Sequence, residues 1–317
     1  MNKIKLEDGR ITDGSSDVFL RGVSIPDLHE ISVNRNYSVK RILKDVKSKG
    51  FNSVRIPIHP GRYDMIEGYL AKFVDEAVKI TEELGLYCVL DWHGIGNPIS
   101  DQTRRPGDFF EKNGEKYLWH DVNIELAFEG WKDISSRYGG EKHVIFEVFN
   151  EPAPGEKSIE IMDIKPLFWD DWREKLEKIR DIIRESSDNL VILSPVGWAY
   201  DIEHVLKKPV KGDNLLYSMH PYPIHKGWRE IMEKASDLPL VVTEWGFMEN
   251  CDEEFMSGDV ESYGKKILDF MEENRVHWFG WCFDDIWDPK MFKSHSYSKE
   301  LTTWGEFLMK EISRITS

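Results

Sequence analysis

Apolar residues gather in eight short runs along this chain, at 19–25, 53–58, 87–92, 144–149, 190–194, 215–220, 240–243 and 278–283. The runs are rich in valine, isoleucine, leucine and aromatic residues and are bounded by polar or turn-forming positions, the pattern of buried strands. Between them the apolar positions fall at spacings of three and four. Val39, Ile42, Leu43 and Val46 mark one such stretch. Phe73, Val74, Ala77, Val78 and Ile80 mark a second, and Ile124, Ala127, Phe128, Trp131 and Ile134 a third. That spacing lines one face of an α-helix. Further helices are predicted over 172–183, 225–235, 263–271 and 304–312, with a weak one starting near Asp201.

Strands alternating with helices predict an α/β fold, either a closed (β/α)8 barrel or an open doubly wound sheet. Polar residues cluster after most of the strand runs, where barrel sites lie, and this favours the barrel. No Gly-x-Gly-x-x-Gly follows the first run, and no phosphate-binding loop ending in Gly-Lys-Ser or Gly-Lys-Thr occurs, so nucleotide chemistry lacks its usual anchor. Residues 4–6 and 17–20 flank turn signals at Asp8-Gly9 and Asp13-Gly14, which predicts a short N-terminal β-hairpin plugging one barrel end. With no compositional break to mark a linker, residues 1–317 are expected to form one barrel domain.

Composition narrows the partners. A net charge of -15 disfavours nucleic acid and anionic membrane surfaces. No run approaches the roughly 20 apolar residues of a membrane span, and residues 1–8 lack an apolar signal core. The expectation is a cytoplasmic monomer, or a secreted one if a leader has been removed. Cys88, Cys251 and Cys282 are odd in number and unpatterned, which reads as free thiols. Gln102 is the single glutamine among abundant Glu, Lys and Arg, a tendency of thermostable proteins.

The chemistry sits where the strand runs stop. The fourth ends in Asn150-Glu151-Pro152 and the seventh in Glu244-Trp245-Gly246, so two carboxylates can face each other across one parallel sheet. Paired carboxylates are the minimum apparatus for cleaving a glycosidic bond. The second run carries Arg55, which alternation turns into the barrel mouth. The third ends in Asp91-Trp92-His93-Gly94, the sixth in His220-Pro221-Tyr222, and the eighth contains Trp281. His93, Asp91, His220 and Asp284 could be drawn as a metal cluster, yet no two have helical ligand spacing, and neither metal nor cofactor is expected.

Taken together, these positions resemble glycoside hydrolase family 5, the cellulase-like retaining (β/α)8 barrels, over essentially the whole chain. The match rests on Arg55, His93, Asn150 with Glu151, His220 with Tyr222, Glu244 and Trp281. It departs at Phe149, where the family usually has a small or polar residue. The resemblance implies that Glu151 is the acid/base and Glu244 the nucleophile, with their carboxyl groups about 5 Å apart. In the same reading Arg55 and Tyr222 keep Glu244 ionised, the pKa of Glu151 is raised, and Asn150 binds the sugar 2-hydroxyl. His93 and His220 position the sugar or the acid.

Substrate choice is expected in the loops. The longest, 94–121, carries Arg104, Arg105, Phe109, Phe110, Tyr117, Trp119 and His120. Trp119, Trp198, Trp245, Trp281 and Trp287 are candidate stacking surfaces, of which Trp281, Trp119 and Trp245 are assigned to substrate. The resemblance implies an endo-acting hydrolase of β-1,4-linked glucan. The alternatives are a β-mannanase, a mixed-linkage or exo-acting β-glucanase and, from another class, a non-catalytic sugar-binding barrel.

Overall fold

A computed structural model describes every residue except 158–162, 295–296, 298 and 317. The eight apolar runs form a closed barrel of parallel strands. In chain order these are Arg21–Ser24, Ser53–Ile58, Tyr87–Trp92, Val144–Glu147, Val191–Leu193, Leu215–Met219, Leu240–Trp245 and His277–Gly280. Closure comes where the eighth strand pairs with the first, Trp278 opposite Arg21. The fourth run leaves the ladder at Glu147, earlier than predicted. Its tip, Glu151-Pro152, pairs instead with Ile95–Asn97 in a small three-stranded sheet, and this lifts Asn150 and Glu151 to the barrel rim.

Inside the barrel, the two-residue period of a strand separates two levels. Val89, Ile145, Ile192, Leu216, Val241 and Phe279 form an apolar cluster with Ile4, Ile11 and Leu20. Two residues further along their strands stand Asp91, Glu147, Ser194, Ser218 and Thr243, all 0% exposed, and Arg55 is equally buried. The outward-facing alternates, among them Ile56, Leu90, Phe146 and Trp278, join the surrounding helices in the larger core.

The N-terminal hairpin is present but shorter than predicted. Lys5–Glu7 pairs with Arg10–Thr12 around Asp8 and Gly9, which both take positive φ, 48° and 75°. Those conformations suit a tight two-residue turn. The second turn signal builds no strand: Thr12 and Asp17 share only an isolated bridge, and Leu20 packs into the barrel interior. The hairpin brings Ile4 and Ile11 against the apolar level, closing that end.

The helices follow the periodicity, with ends set by capping. Val39–Ser48 begins at Ser38, whose side chain accepts from Arg41 N, and Ile124–Tyr138 begins at Asn123, which accepts from Leu126 N. The helix expected over 225–235 is confined to Trp228–Lys234, because hydrogen-bonded turns from Tyr222 to Trp228 precede it. Pro60–Met65 is a short helix the periodicity did not show. The loop after the third strand is ordered by a second hairpin, Phe109–Lys112 with Glu115–Leu118. Its turn is Asn113-Gly114 with φ of 56° and 82°, the dipeptide that most strongly signals a two-residue hairpin turn. All three cysteines are free, as expected.

Candidate active site

Arg55 organises the mouth of the barrel. Its Nη1 donates to Glu244 Oε1 at 2.8 Å, Nη2 to Asn150 Oδ1 at 2.7 Å, and Nε to Glu147 Oε2 at 2.5 Å. Nη2 also lies 3.0 Å from Asp91 Oδ2. Glu147 and Asp91, one residue type apart and both wholly buried, are partners the sequence reading did not assign. Burying one guanidinium among three carboxylates is costly unless every lone pair is used, and here the planar fork serves four acceptors at once.

Glu244 and Glu151 come together at this rim. A carboxylate oxygen of each and a ring nitrogen of His220 all lie within 4.8 Å of one another. His220 Nδ1 is 3.0 Å from Glu151 Oε1 and 3.8 Å from Glu244 Oε2. Its Nε2 is 2.9 Å from Thr243 Oγ1, which fixes the ring plane. Tyr222 donates to Glu244 Oε2 at 3.0 Å. Glu151 itself is held at the backbone, its N–H donating to Gly94 O at 3.0 Å.

The electrostatics have separate causes. Burial raises the Glu244 carboxyl above its ordinary 4.5; His220 and Arg55 pull it back and the like charge of Glu151 pushes it up again. The nucleophile candidate is thus raised despite its two hydrogen-bond donors, because it is deeply buried. Burial alone would lower His220, yet Glu244 and Glu151 outweigh it and hold the imidazole above 6.5. Burial and the two glutamates keep the Tyr222 hydroxyl protonated far above its ordinary value, so it remains a donor. Asp91 is pushed well up, by burial first and by Glu147 and Glu244 against the opposing Arg55.

A cleft of about 460 Å³ opens over these groups, lined by Asn150, Glu151, Tyr222, Glu244, His93, Trp119 and Trp281 among others. Trp281 and His93 lie face to face at 5.5 Å and 8°, and Trp287 stands parallel to Trp281 at 6.3 Å. The indole of Trp281 is fixed by its Nε1 donating to Asp288 O at 3.1 Å. Trp119 stacks on Phe110 from the loop hairpin at 4.9 Å.

Trp245 is not part of this surface. It is 0% exposed and packs against Trp278 and Trp304 at 5.8 and 4.8 Å, between barrel and helices. Val241 and Thr243 already face the interior, and the register shift between Val242 and Trp245 breaks the alternation there, so that Glu244 also reaches the mouth while Trp245 turns outward; the assignment of Trp245 to substrate is corrected. Trp198 is 38% exposed beside Arg104, whose guanidinium lies 5.5 Å from the ring. Phe149 also points outward, onto Trp172 at 5.1 Å; a Cβ on Gly94 would meet its ring at 2.8 Å, so glycine there lets the chain cross the phenyl. Of Asp91, His93, His220 and Asp284, the first two meet at 2.5 Å, whereas Asp284 is bound to Arg35 and His220 to Glu151. His120 lines the cleft from the long loop, and His59, Ile286 and Phe255 line it without any signal in the sequence that marked them.

Known proteins share the sequence and the fold. Endoglucanase N of Pectobacterium atrosepticum is 26% identical over 98% of this chain and 65% of its own length. Endoglucanase 5 of Pectobacterium carotovorum is 25% identical over 98% of this chain and 57% of its own. The chain thus spans only 57 to 65% of these two relatives. Among solved structures, a β-glucanase from Saccharophagus degradans in complex with cellotetraose superposes with a TM-score of 0.86 at 24% identity, over 100% of this chain and 94% of that one. A β-mannanase from Thermomonospora fusca, bound to mannotriose, gives 0.67 at 18% identity over 98% and 94%. The family model for cellulase, glycosyl hydrolase family 5, matches residues 13–286, and the chain belongs to that family.

Proposed function

We propose that this protein is a retaining, endo-acting β-1,4-glucanase that works by double displacement. The observation that carries the reading is that a carboxylate oxygen of Glu151 lies within 4.8 Å of one of Glu244 across one cleft. Retaining enzymes place their carboxyl groups about 5–5.5 Å apart, whereas inverting ones need roughly 6.5–9.5 Å to admit a water between them.

In the first step Glu151, carrying a proton, gives it to the glycosidic oxygen as that bond to the anomeric carbon breaks. The Glu244 carboxylate attacks the same carbon and forms a glycosyl ester, releasing the leaving sugar as an alcohol. Arg55 and Tyr222 hydrogen-bond the two oxygens of Glu244, which favours its ionised form and aims it. His220, touching Glu151, positions the acid. In the second step the Glu151 carboxylate takes a proton from water, whose oxygen attacks the anomeric carbon and frees Glu244. Asn150, with its oxygen engaged by Arg55, has its amide N–H groups left to donate to the sugar 2-hydroxyl. Trp281, backed by His93 and Trp287, offers a stacking face for a sugar ring.

The likeness to a cellotetraose-binding β-glucanase supports glucan over mannan, its TM-score exceeding that of the mannanase. The scarcity of glutamine supports a thermostable protein as well. Proton NMR of the first products from soluble β-1,4-glucan should show the β-anomer, with chain lengths of several sugars. An α-anomer would overturn double displacement, and release of one sugar size from the outset would overturn endo action. Azide should rescue Glu151→Ala on substrates with activated leaving groups; absence of rescue removes the acid/base assignment.

A further inference from the structure

Beside the proposed cleavage point, three buried histidines from three different segments converge. His59 follows the second barrel strand, His93 follows the third, and His120 ends the long loop; they are 3%, 4% and 7% exposed. One ring nitrogen from each lies within 4.8 Å of the other two. The rings form a triangle with centroid separations of 5.1, 5.0 and 5.4 Å.

The tautomers follow from the outer partners. His120 Nδ1 is 3.0 Å from His93 O, a carbonyl that can only accept, so that nitrogen carries the proton. His93 Nδ1 is 2.5 Å from Asp91 Oδ2, and His59 Nδ1 is 3.4 Å from Asp27 Oδ2. In each ring Nδ1 is turned to an oxygen, and with the proton on Nδ1 the Nε2 atom keeps a lone pair to offer. Among the described residues no side chain donates a hydrogen bond to any of these Nε2 atoms. Three imidazoles with ring nitrogens this close, each braced by a carboxylate or carbonyl, resemble the outer shell that orients histidine ligands around a metal ion.

We propose that His59, His93 and His120 form a binding site for a divalent transition metal of the zinc class. Imidazole donors select such ions over calcium or magnesium, which prefer oxygen. Three nitrogens on a tetrahedral ion at about 2.0–2.1 Å stand roughly 3.3 Å apart, so the triangle needs to tighten by at most about 1.5 Å, within the reach of small ring rotations. All three histidines line the cleft together with Trp119, Trp281 and Trp287. Because the three histidines line the cleft, a water or a sugar hydroxyl there can complete the coordination of an ion they hold. The site is distinct from the Glu151–Glu244 pair, and it stands whether or not the glucanase reading does, because binding is read without substrate.

The test uses the full-length, tag-free chain stripped of metal and titrated with Co²⁺. The expected result is one ion per chain, with the intense visible absorption of tetrahedral cobalt, displaced by an equivalent of Zn²⁺ and accompanied by a rise in Tm. His59→Ala and His120→Ala should each weaken binding at least tenfold and abolish the tetrahedral spectrum. Asp27→Asn, which keeps all three ligands, should weaken it less. Octahedral spectra only, or stoichiometry that survives both histidine replacements, would overturn the site. Should either alanine variant fail to fold, the spectrum, stoichiometry and Tm shift of the wild-type chain still decide the matter.

Discussion

Two histidines, one at each end of the barrel, are driven in opposite directions. His277 opens the eighth strand at the closed end, where its Nδ1 accepts from Leu20 N at 3.2 Å. Burial, reinforced by Arg275 and Arg21, pushes it down to about 3. His220, at the open end, is equally buried but is raised, since Glu244 and Glu151 outweigh the desolvation. The closed end has solved its burial problem with apolar packing and a neutral imidazole. The open end has buried charges and matched them to one another, the arrangement of a site that must stabilise changing charge.

Four changes sharpen or break that contrast. Glu244→Ala, the largest, should lower kcat on an aryl β-glycoside by about 10⁴-fold or more while the circular dichroism spectrum stays folded. Activity within about tenfold of wild type would show that the charged end is not catalytic through this residue. Arg55→Met leaves Asp91, Glu147 and Glu244 without their shared cation, and should cost about 3–5 kcal/mol in urea unfolding, along with activity. A neutral outcome would mean that one of those carboxyls is carried protonated at little expense.

At the closed end, Ile11→Ala on the hairpin should destabilise by about 2–5 kcal/mol with kcat unaltered. A matching fall in kcat would show that the two ends are coupled. The smallest effect is one of slope. The folded-state value of His277 lies below the unfolded 6.5, so its contribution is complete above 6.5 and is lost as pH falls from 6.5 towards about 3. The loss amounts to about 1.4 kcal/mol per pH unit. His277→Asn should flatten the acid side of the stability profile by close to one proton. His220, being raised, has the opposite sign: its contribution is complete below 6.5 and fades as pH rises through its folded value.

The strand runs and their terminal residues were legible because a strand's period is local. Arg55, Asn150, Glu151, His220, Tyr222 and Glu244 stand around one mouth in the places alternation and the strand ends suggested. Trp245 departs from the expectation because Thr243 and Glu244 both reach the interior: the register shift between Val242 and Trp245 breaks the two-residue period, and the run itself carries no signal of it. The N-terminal turn signals were both read as one hairpin, and only Asp8-Gly9 makes it, since Leu20 is needed inside the barrel.

What the chain's order of residues determined was the sequence of strands and helices and which polar groups crown each strand, as these depend on neighbours two to four positions away. Closure of the barrel decided the rest. It joined Arg55 to Glu147 and Glu244 across separations of 92 and 189 residues, and it focused His59, His93 and His120 on one point. Such meetings depend on the stagger and tilt of strands around a ring, and no local pattern encodes them.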